Sequence, residues 1–345
     1  MHDRGGLTDG GARVITATGV GSMPGEDAAA YRDAVKIVLD ELPDLPHVPE
    51  LPGRGAHASL TGRTLAVVAD LGADLQPAGW RLTGHSGPVG VDHRRARSLL
   101  AQDLDTVEEQ LQGWSGRLKT QVAGPWTLAA TVERPRGDRV LADYGARHEL
   151  AEALAEGLRG HVADLRRRVP GAELMVQLDE PALPAVLAGA VPTASGLHRH
   201  RSVDAAGASA ALEEVLAAVR EAGATPVVHC CARDVPVALL VGAGAEGVSV
   251  DLDVLAAAAY DDLATLLEEG RPVLLGVVPS TTPSAEVPAG AVTERVLRLL
   301  DMLGLDPVTA ASLVLTPSCG LAAAGDRWAR TALATCRAAA ADLRG

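Results

Sequence analysis

Phenylalanine is absent from this 345-residue chain, and tryptophan (4) and tyrosine (3) are scarce. We attribute this composition, which favours Ala, Gly, Val, Leu and Arg, to coding bias rather than to function. Only four cysteines occur, and Cys230 and Cys231 are adjacent, which excludes a disulfide framework. No stretch approaches about 18 uninterrupted apolar residues, and no apolar core of a secretory signal opens the chain. We therefore expect a cytoplasmic protein without a membrane span.

The charge balance limits the classes of partner. Acidic residues outnumber basic ones, 44 to 31, and the formal net charge of −13 argues against nucleic acid as a partner. Hydrophobic residues make up 47% of the chain, as in an ordinary globular protein. A chain of this length can form one large α/β barrel or two small domains, with a substantial core in either case.

Apolar runs typical of strands alternate with stretches rich in Ala, Leu, Glu and Arg that are typical of helices. The predicted strands span residues 14–20, 46–50, 119–124, 173–179, 225–230, 247–253, 272–278 and 312–317. The predicted helices span residues 26–41, 60–73, 94–113, 142–168, 205–222, 258–269, 289–303 and 325–343. This alternation predicts parallel strands with crossover helices, and eight such strands are the number of a (β/α)8 TIM barrel. A doubly wound open sheet is the alternative.

The order of these segments also predicts the domain organisation. A single barrel is expected over residues 14–345, after a Gly-rich, frayed or disordered start over residues 1–13. Scattered Gly, Pro and polar residues over 74–92 predict a long loop or hairpin inserted after the second strand–helix unit. No linker of different composition divides the chain, and it has no internal repeat.

Residues with useful chemistry follow the predicted strands. In a TIM barrel the active site lies at the C-terminal ends of the strands. The polar residues at these ends are Ser22, Glu50, Asp179, His229, Cys231, Asp251 and Cys319. Their common placement predicts one site at the mouth of the barrel.

His229 and Cys231 are two residues apart in an apolar, β-branched run, so their side chains lie on one face of a strand while Cys230 points away. Cys319 follows the eighth strand, and Asp251 ends the sixth. One imidazole, two thiolates and a carboxylate are ligands that zinc accepts. The alternative is that the cysteines are small buried hydrophobic residues and the histidine is hydrogen-bonded in the core.

Two further motifs have both a functional and a purely structural interpretation. Asp179 in QLDEPAL could hold an ammonium group or a hydroxyl, or it could cap a local helix with Pro181 in its first turn. The glycines of TGVGSMPGED let the backbone approach a ligand closely, so its N–H groups could bind a carboxylate. The same motif fits a strand-to-helix turn with Glu26 and Asp27 in the first helical turn.

Taken together, the motifs resemble the C-terminal catalytic barrel of cobalamin-independent methionine synthase, in a short form that lacks the N-terminal barrel. They occur in the family's order from about residue 16 to the end of the chain, as TATGVGSMPGED, HVPELPGRG, VAGPWTL, QLDEPAL, HCC, VSVDLD and TPSCGL. The resemblance implies a zinc-dependent methyl transfer to the thiol of homocysteine, with one zinc ion per chain.

The resemblance also implies roles for particular residues. The zinc ligands would be His229, Cys231, Cys319 and Asp251, with Asp251 at a position where the family usually has Glu. The amino-acid part of homocysteine would be held by residues that match the family's positions, namely Val20, Gly21, Ser22, Glu50 and Asp179.

Three departures from the family's pattern concern the methyl donor. Thr131 stands where a tryptophan packs against folate, and Ala185 replaces a glutamate that contacts folate. Thr281 stands nearest to the position of the family's histidine proton donor. A methylcorrinoid, either free methylcobalamin or bound to a corrinoid protein, is therefore preferred over methyltetrahydrofolate as the donor. A related zinc barrel that methylates another thiol, or a silent zinc- or amino-acid-binding barrel, are the competing interpretations.

Overall fold

The computed structural model describes residues 14–84 and 90–345, and the predicted frayed start lies outside these residues. The strands are β1 (Thr16–Ala17), β2 (Gly72–Gln76), β3 (Gly79–Gly84), β4 (Ser115–Ala123), β5 (Gly171–Asp179), β6 (Thr225–Cys230), β7 (Gly247–Asp251), β8 (Val273–Val278) and β9 (Leu313–Pro317). The α-helices are α1 (Ala28–Glu41), α2 (Leu60–Val67), α3 (Val91–Gln110), α4 (Pro125–Thr131), α5 (Tyr144–Arg168), α6 (Leu183–Leu187), α7 (Ala205–Glu221), α8 (Val237–Gly242), α9 (Tyr260–Glu268), α10 (Ala289–Leu303) and α11 (Asp326–Asp342).

Seven parallel strands form one curled sheet in the order β1–β9–β8–β7–β6–β5–β4. The 46–50 segment lies in the gap between β4 and β1. On one side the Val48 N–H donates to the carbonyl of Lys119 at 2.8 Å, and on the other the Glu50 N–H donates to the carbonyl of Gly21 at 3.1 Å. This segment supplies the eighth position, so the predicted TIM-barrel architecture is confirmed and the open sheet is not formed.

Two of the predicted strands are shorter or less regular than expected. The 46–50 segment forms isolated bridges, because Pro46 and Pro49 have no N–H group to donate to a neighbouring strand. β1 covers only Thr16–Ala17. After the Thr18 N–H has bonded to Leu315, the chain leaves β9 and bonds instead to the 46–50 segment.

The eight predicted helices are present, α10 with the predicted ends and the others with at least one end shifted. The predicted hairpin is formed by β2 and β3 between α2 and α3. Residues 85–89 of the predicted insertion lie outside the described residues. α2 ends at Val67 rather than at 73, because Asp70 has a positive φ of 53° that no helix accommodates. The short helices α4, α6 and α8, which follow strand ends, were not predicted.

The core has two parts. A large apolar layer lies between the sheet and the surrounding helices. A separate cluster of five buried apolar side chains comprises Leu45, Met175, Val227, Leu274 and Val314. Met175 and Val227 have the same strand parity as Asp179 and His229, so this cluster fills the barrel interior below the site. Within the described ranges, no helix has the length and apolar character that crossing a bilayer requires.

Candidate active site

One cavity of about 310 Å³ opens at the C-terminal ends of the barrel strands. Nearly all the predicted site residues line it: Val20, Gly21, Ser22, Glu50, Asp179, His229, Cys231 and Cys319. They come from the first, second, fourth, fifth and eighth positions of the barrel, which converge only at its mouth. The cavity is therefore the candidate active site.

His229, Cys231 and Cys319 form a compact group at one wall of this cavity. One potential ligand atom from each residue lies within 4.8 Å of the others. The sulfur atoms of Cys231 and Cys319 are 3.1 Å apart, and both residues are free cysteines. Two sulfur atoms and one imidazole nitrogen at such separations can converge on a single soft metal ion.

The imidazole of His229 is held in the orientation that a metal ligand needs. Its Nδ1 lies 2.9 Å from the hydroxyl oxygen of Ser249 on the neighbouring strand β7. Its Nε2 is buried without a hydrogen-bond partner among the described residues. A buried, unpaired ring nitrogen is costly, and a metal ion would satisfy it while Ser249 fixes the ring from the other side. The residues present therefore fit zinc.

The pKa values of the Cys231 and Cys319 thiols are shifted in opposite directions. The pKa of Cys319 is lowered to about 4, first by a hydrogen bond from Cys231 and further by His229. The pKa of Cys231 is raised by the same hydrogen bond and by burial. The pair therefore favours one thiolate, which is the form of cysteine that binds metals.

Asp251 lies beside this group rather than within it. It is the last residue of β7, and its Oδ1 accepts a hydrogen bond from the backbone N–H of Asp253 at 2.9 Å. Burial raises the pKa of its carboxyl, and the nearby Cys319 raises it further. Its side chain is thus close enough to interact electrostatically with the thiols, while its carboxylate is engaged by its own loop.

Asp179 faces the cavity and does not cap a local helix. Helix α6 begins at Leu183 without a side-chain cap, so the alternative interpretation of Asp179 is wrong. The neighbouring Glu180 performs a capping role elsewhere: its carboxylate accepts hydrogen bonds from Trp126 N–H at 2.9 Å and from Thr127 N–H at 2.8 Å at the start of α4. The two acidic residues of QLDEPAL therefore have separate tasks.

The loop after β1 brings backbone atoms to the cavity wall. A Cβ atom added at Gly21 would lie 2.6 Å from the Gln121 side chain, so only glycine fits there. The Ser22 carbonyl accepts a hydrogen bond from the Leu321 N–H at 2.8 Å, which joins this loop to the residues that follow Cys319. The chain does turn from strand to helix here, but Glu26 and Asp27 precede the first helical turn instead of lying in it: α1 begins at Ala28, and Asp27 is its N-cap.

Glu50 is backed by a cluster of buried charges. Its Oε1 lies 3.7 Å from Nε of Arg63, whose guanidinium bonds to Asp103. Asp103 also binds Arg54 through two hydrogen bonds of 2.8 and 2.7 Å. Burial raises the pKa of Glu50, whereas Arg63 and a hydrogen bond from Gln121 lower it. This cluster therefore favours the ionised form of a carboxylate that burial alone would neutralise.

The positions that depart from the family's pattern lie away from this wall. Thr131 is at the end of α4, where its hydroxyl donates to the carbonyl of Thr127 at 2.7 Å. Ala185 lies within α6, and Thr281 is exposed in the segment after β8. None of these three is among the residues that line the cavity in the described part of the chain.

Sequence reasoning missed the residues that support the site, among them Ser249, Lys119, Gln121 and Gln177. Each is a buried polar residue on a barrel strand. Gln177 is two residues before Asp179, and Ser249 is two residues before Asp251, so each shares a strand face with a predicted site residue. This alternation is the signal that could have found them.

Comparisons with known proteins give one sequence family and a number of similar solved structures. Residues 106–342, more than half of the chain, match the family described as "Cobalamin-independent synthase, Catalytic domain". This range includes the His229–Cys231–Cys319 group and Asp179, and it begins after Ser22 and Glu50. No curated protein is significantly similar in sequence.

Among solved structures, the chain is similar to a B12-independent methionine synthase from a Shewanella species in complex with selenomethionine. The TM-score is 0.63 at 16% identity, over 96% of this chain and 98% of that one. Methylaspartate ammonia lyase from Clostridium tetanomorphum is less similar, with a TM-score of 0.45 at 12% identity over 97% of this chain and 60% of that one. The likeness to the Shewanella protein supports the fold. The extent of the sequence match decides the family: the chain belongs to the cobalamin-independent synthase catalytic-domain family.

Proposed function

We propose that this protein transfers a methyl group to the thiol of homocysteine and so forms methionine, with one zinc ion per chain. The observation that carries the proposal is that one cavity joins a His–Cys–Cys group to two carboxylates, Glu50 and Asp179. A thiol and an ammonium group are the two ends of homocysteine that these groups would recognise. Membership in the cobalamin-independent synthase family supports the same substrate, as does the selenomethionine bound to the Shewanella methionine synthase.

His229, Cys231 and Cys319 are the residues that would hold the zinc, with Asp251 as the proposed fourth ligand. A bound zinc ion lowers the pKa of a coordinated thiol, which is near 8.5 when free, so that the sulfur is a thiolate at neutral pH. Aspartate is one methylene shorter than the glutamate usual in the family. In the structure one of the Asp251 carboxylate oxygens, Oδ1, accepts a hydrogen bond from the Asp253 N–H.

The chain's own residues would orient the rest of the substrate. Glu50 and Asp179 would accept hydrogen bonds from the ammonium group, and the backbone near Val20, Gly21 and Ser22 would hold the carboxylate. In the reaction the homocysteine sulfur attacks the methyl carbon in line, an S–C bond forms, and the bond between the methyl group and the donor breaks. The electron pair of that bond leaves with the donor.

The fate of that electron pair underlies our proposal that the donor is a methylcorrinoid. When the leaving group is the amine nitrogen of tetrahydrofolate it needs a proton, and the family's histidine proton donor is replaced in the region of Thr281. A cobalt(I) corrinoid leaves with its electron pair and needs no proton. The residues at the folate-contact positions, Thr131 and Ala185, agree with this preference.

A donor screen tests the proposal. The zinc-loaded protein is incubated with L-homocysteine and either methylcobalamin or 5-methyltetrahydrofolate, and methionine is quantified by mass spectrometry. We expect formation with methylcobalamin to exceed formation with the folate by at least about tenfold, the effect of one missing general acid being typically larger.

The possible outcomes separate the competing interpretations. Methionine formed only with the folate would overturn the corrinoid donor and leave the acceptor intact. Faster methylation of a different thiol would reassign the acceptor. Zinc-loaded protein that does not bind homocysteine in calorimetry would be a silent zinc-binding barrel, and the proposed activity would be wrong.

A further inference from the structure

Lysine is rare in this chain, and one of its two lysines is buried inside the barrel. Lys36 lies on the surface of α1 with 57% of its side chain exposed. Lys119, on β4, is completely buried. Burying an ammonium group is expensive unless it is paired and hydrogen-bonded, so its contacts indicate what it does there.

The ammonium group of Lys119 uses its three donors on three different acceptors. Nζ donates to the backbone carbonyl of Val20 at 2.7 Å, to Oε1 of Gln177 at 3.0 Å and to Oε1 of Gln121 at 3.3 Å. Val20 belongs to the cavity wall, and the glutamines lie on the adjacent strands β4 and β5. Lys119 therefore bonds at the same time to the Val20 backbone in the cavity wall and to both glutamines.

The ammonium group of Lys119 also fixes the orientation of both glutamine amides. It has donors only, so the amide oxygens must face it and the amide N–H groups must face away. Nε2 of Gln177 then donates to Oδ1 of Asp179 at 2.7 Å, and Nε2 of Gln121 donates to Oε1 of Glu50 at 3.1 Å. One cation thus orients two amides, and each amide holds one of the two cavity carboxylates.

We propose that Lys119 is a positioning residue that makes the cavity specific for α-amino acids. Through Gln121 and Gln177 it fixes Glu50 and Asp179 in the orientation that accepts a substrate ammonium group, and through Val20 it fixes the loop beside them. This inference rests on the proposed function, since it concerns the same cavity. Lys119 would not touch the substrate, and it would still make the cavity selective for the substrate's amino group.

The charges around Lys119 support this role. Burial lowers the pKa of Lys119 to about 8, whereas Asp179 and Glu50 raise it. The two carboxylates therefore favour the charged form of Lys119, and a charged ammonium group forms the stronger hydrogen bonds to the glutamine oxygens.

The test compares two ligands that differ only in the α-amino group. The zinc-loaded wild type and Lys119→Met are titrated by calorimetry with L-homocysteine and with 4-mercaptobutanoate. We expect the variant to bind homocysteine roughly 10- to 100-fold more weakly, the range for losing hydrogen bonds to a charged group, and 4-mercaptobutanoate within about threefold of the wild type. Zinc content should not change, and Lys36→Met should match the wild type with both ligands.

If Lys119→Met does not fold, Gln121→Met and Gln177→Met test the same proposal. Each removes one amide and leaves the lysine in place, so each should weaken homocysteine binding selectively. An equal loss for both ligands would show a merely structural lysine and overturn the proposal. Tighter homocysteine binding by Lys119→Met would show that the lysine acts only as a repelling charge, and would overturn it too. Homocysteine binding without methionine formation would instead refute the proposed function alone.

Discussion

Replacing Cys319 by alanine should leave a folded protein that no longer retains zinc or activity. The residue follows β9 at the barrel mouth and contributes little to the core, so folding does not depend on it. Losing one of the four proposed ligands should weaken zinc binding by at least about a hundredfold, given binding energies on the order of 10–16 kcal/mol for a four-ligand site. Metal content after dialysis against a chelator, measured by mass spectrometry, and methionine formation are the two readouts.

Cys336→Ala makes the same chemical change in the core and is the control. Its zinc content and activity should equal those of the wild type, because Cys336 packs within α11 against apolar neighbours. Full zinc occupancy in Cys319→Ala would contradict the ligand assignment. A loss of secondary structure on replacing Cys319, seen by circular dichroism, would show that the residue is structural.

Replacing Asp103 by alanine should strongly destabilise the protein. Its side chain is 2% exposed and bonds to both Arg54 and Arg63, which are themselves buried. The substitution would leave two buried guanidinium groups without their carboxylate, a change that typically destabilises by about 3–5 kcal/mol. The free energy of unfolding, measured by urea titration followed by circular dichroism, should fall by that amount.

The matched control is Asp105→Ala, two residues further along α3. Asp105 is 67% exposed and pairs with Arg168, which also binds Glu108 at 2.7 Å and Asp164 at 2.9 Å. An exposed, redundant ion pair contributes at most about 1 kcal/mol, so this variant should unfold nearly like the wild type. Equal destabilisation by the two substitutions would contradict the importance of the buried cluster.

The location of the candidate site was predictable because strand periodicity is a local property. His229 and Cys231 share a face through their spacing alone, and Cys319 follows another apolar run, so the barrel topology brings the three together. The same reasoning placed Asp179 and Glu50 at the cavity. For Asp251 it fixed the position at the strand end and could not reveal the hydrogen bond to Asp253.

The supporting residues were not predictable because their partners are distant in the sequence. Lys119 and Val20 are joined by one hydrogen bond across the barrel, and Glu180 caps α4 from another strand. A sequence pattern shows that such residues are polar but not what they face. The irregular 46–50 segment was misassigned for a different reason, since its prolines forbid a regular ladder although its side chains are buried.

The pairing of β1 with β9 has a consequence for how the site is assembled during folding. The Ser22 loop is bonded to Leu321, about three hundred positions later in the chain, and the thiol pair joins Cys231 to Cys319. Contacts of such high sequence separation carry a large loop-closure entropy and form late. A chain growing from its amino end can therefore form most of the outer helices before Cys319 joins His229 and Cys231. If synthesis stopped before β9, the shortened chain would expose strand edges and would lack Cys319. We expect such a chain to be inactive and to be bound by chaperones.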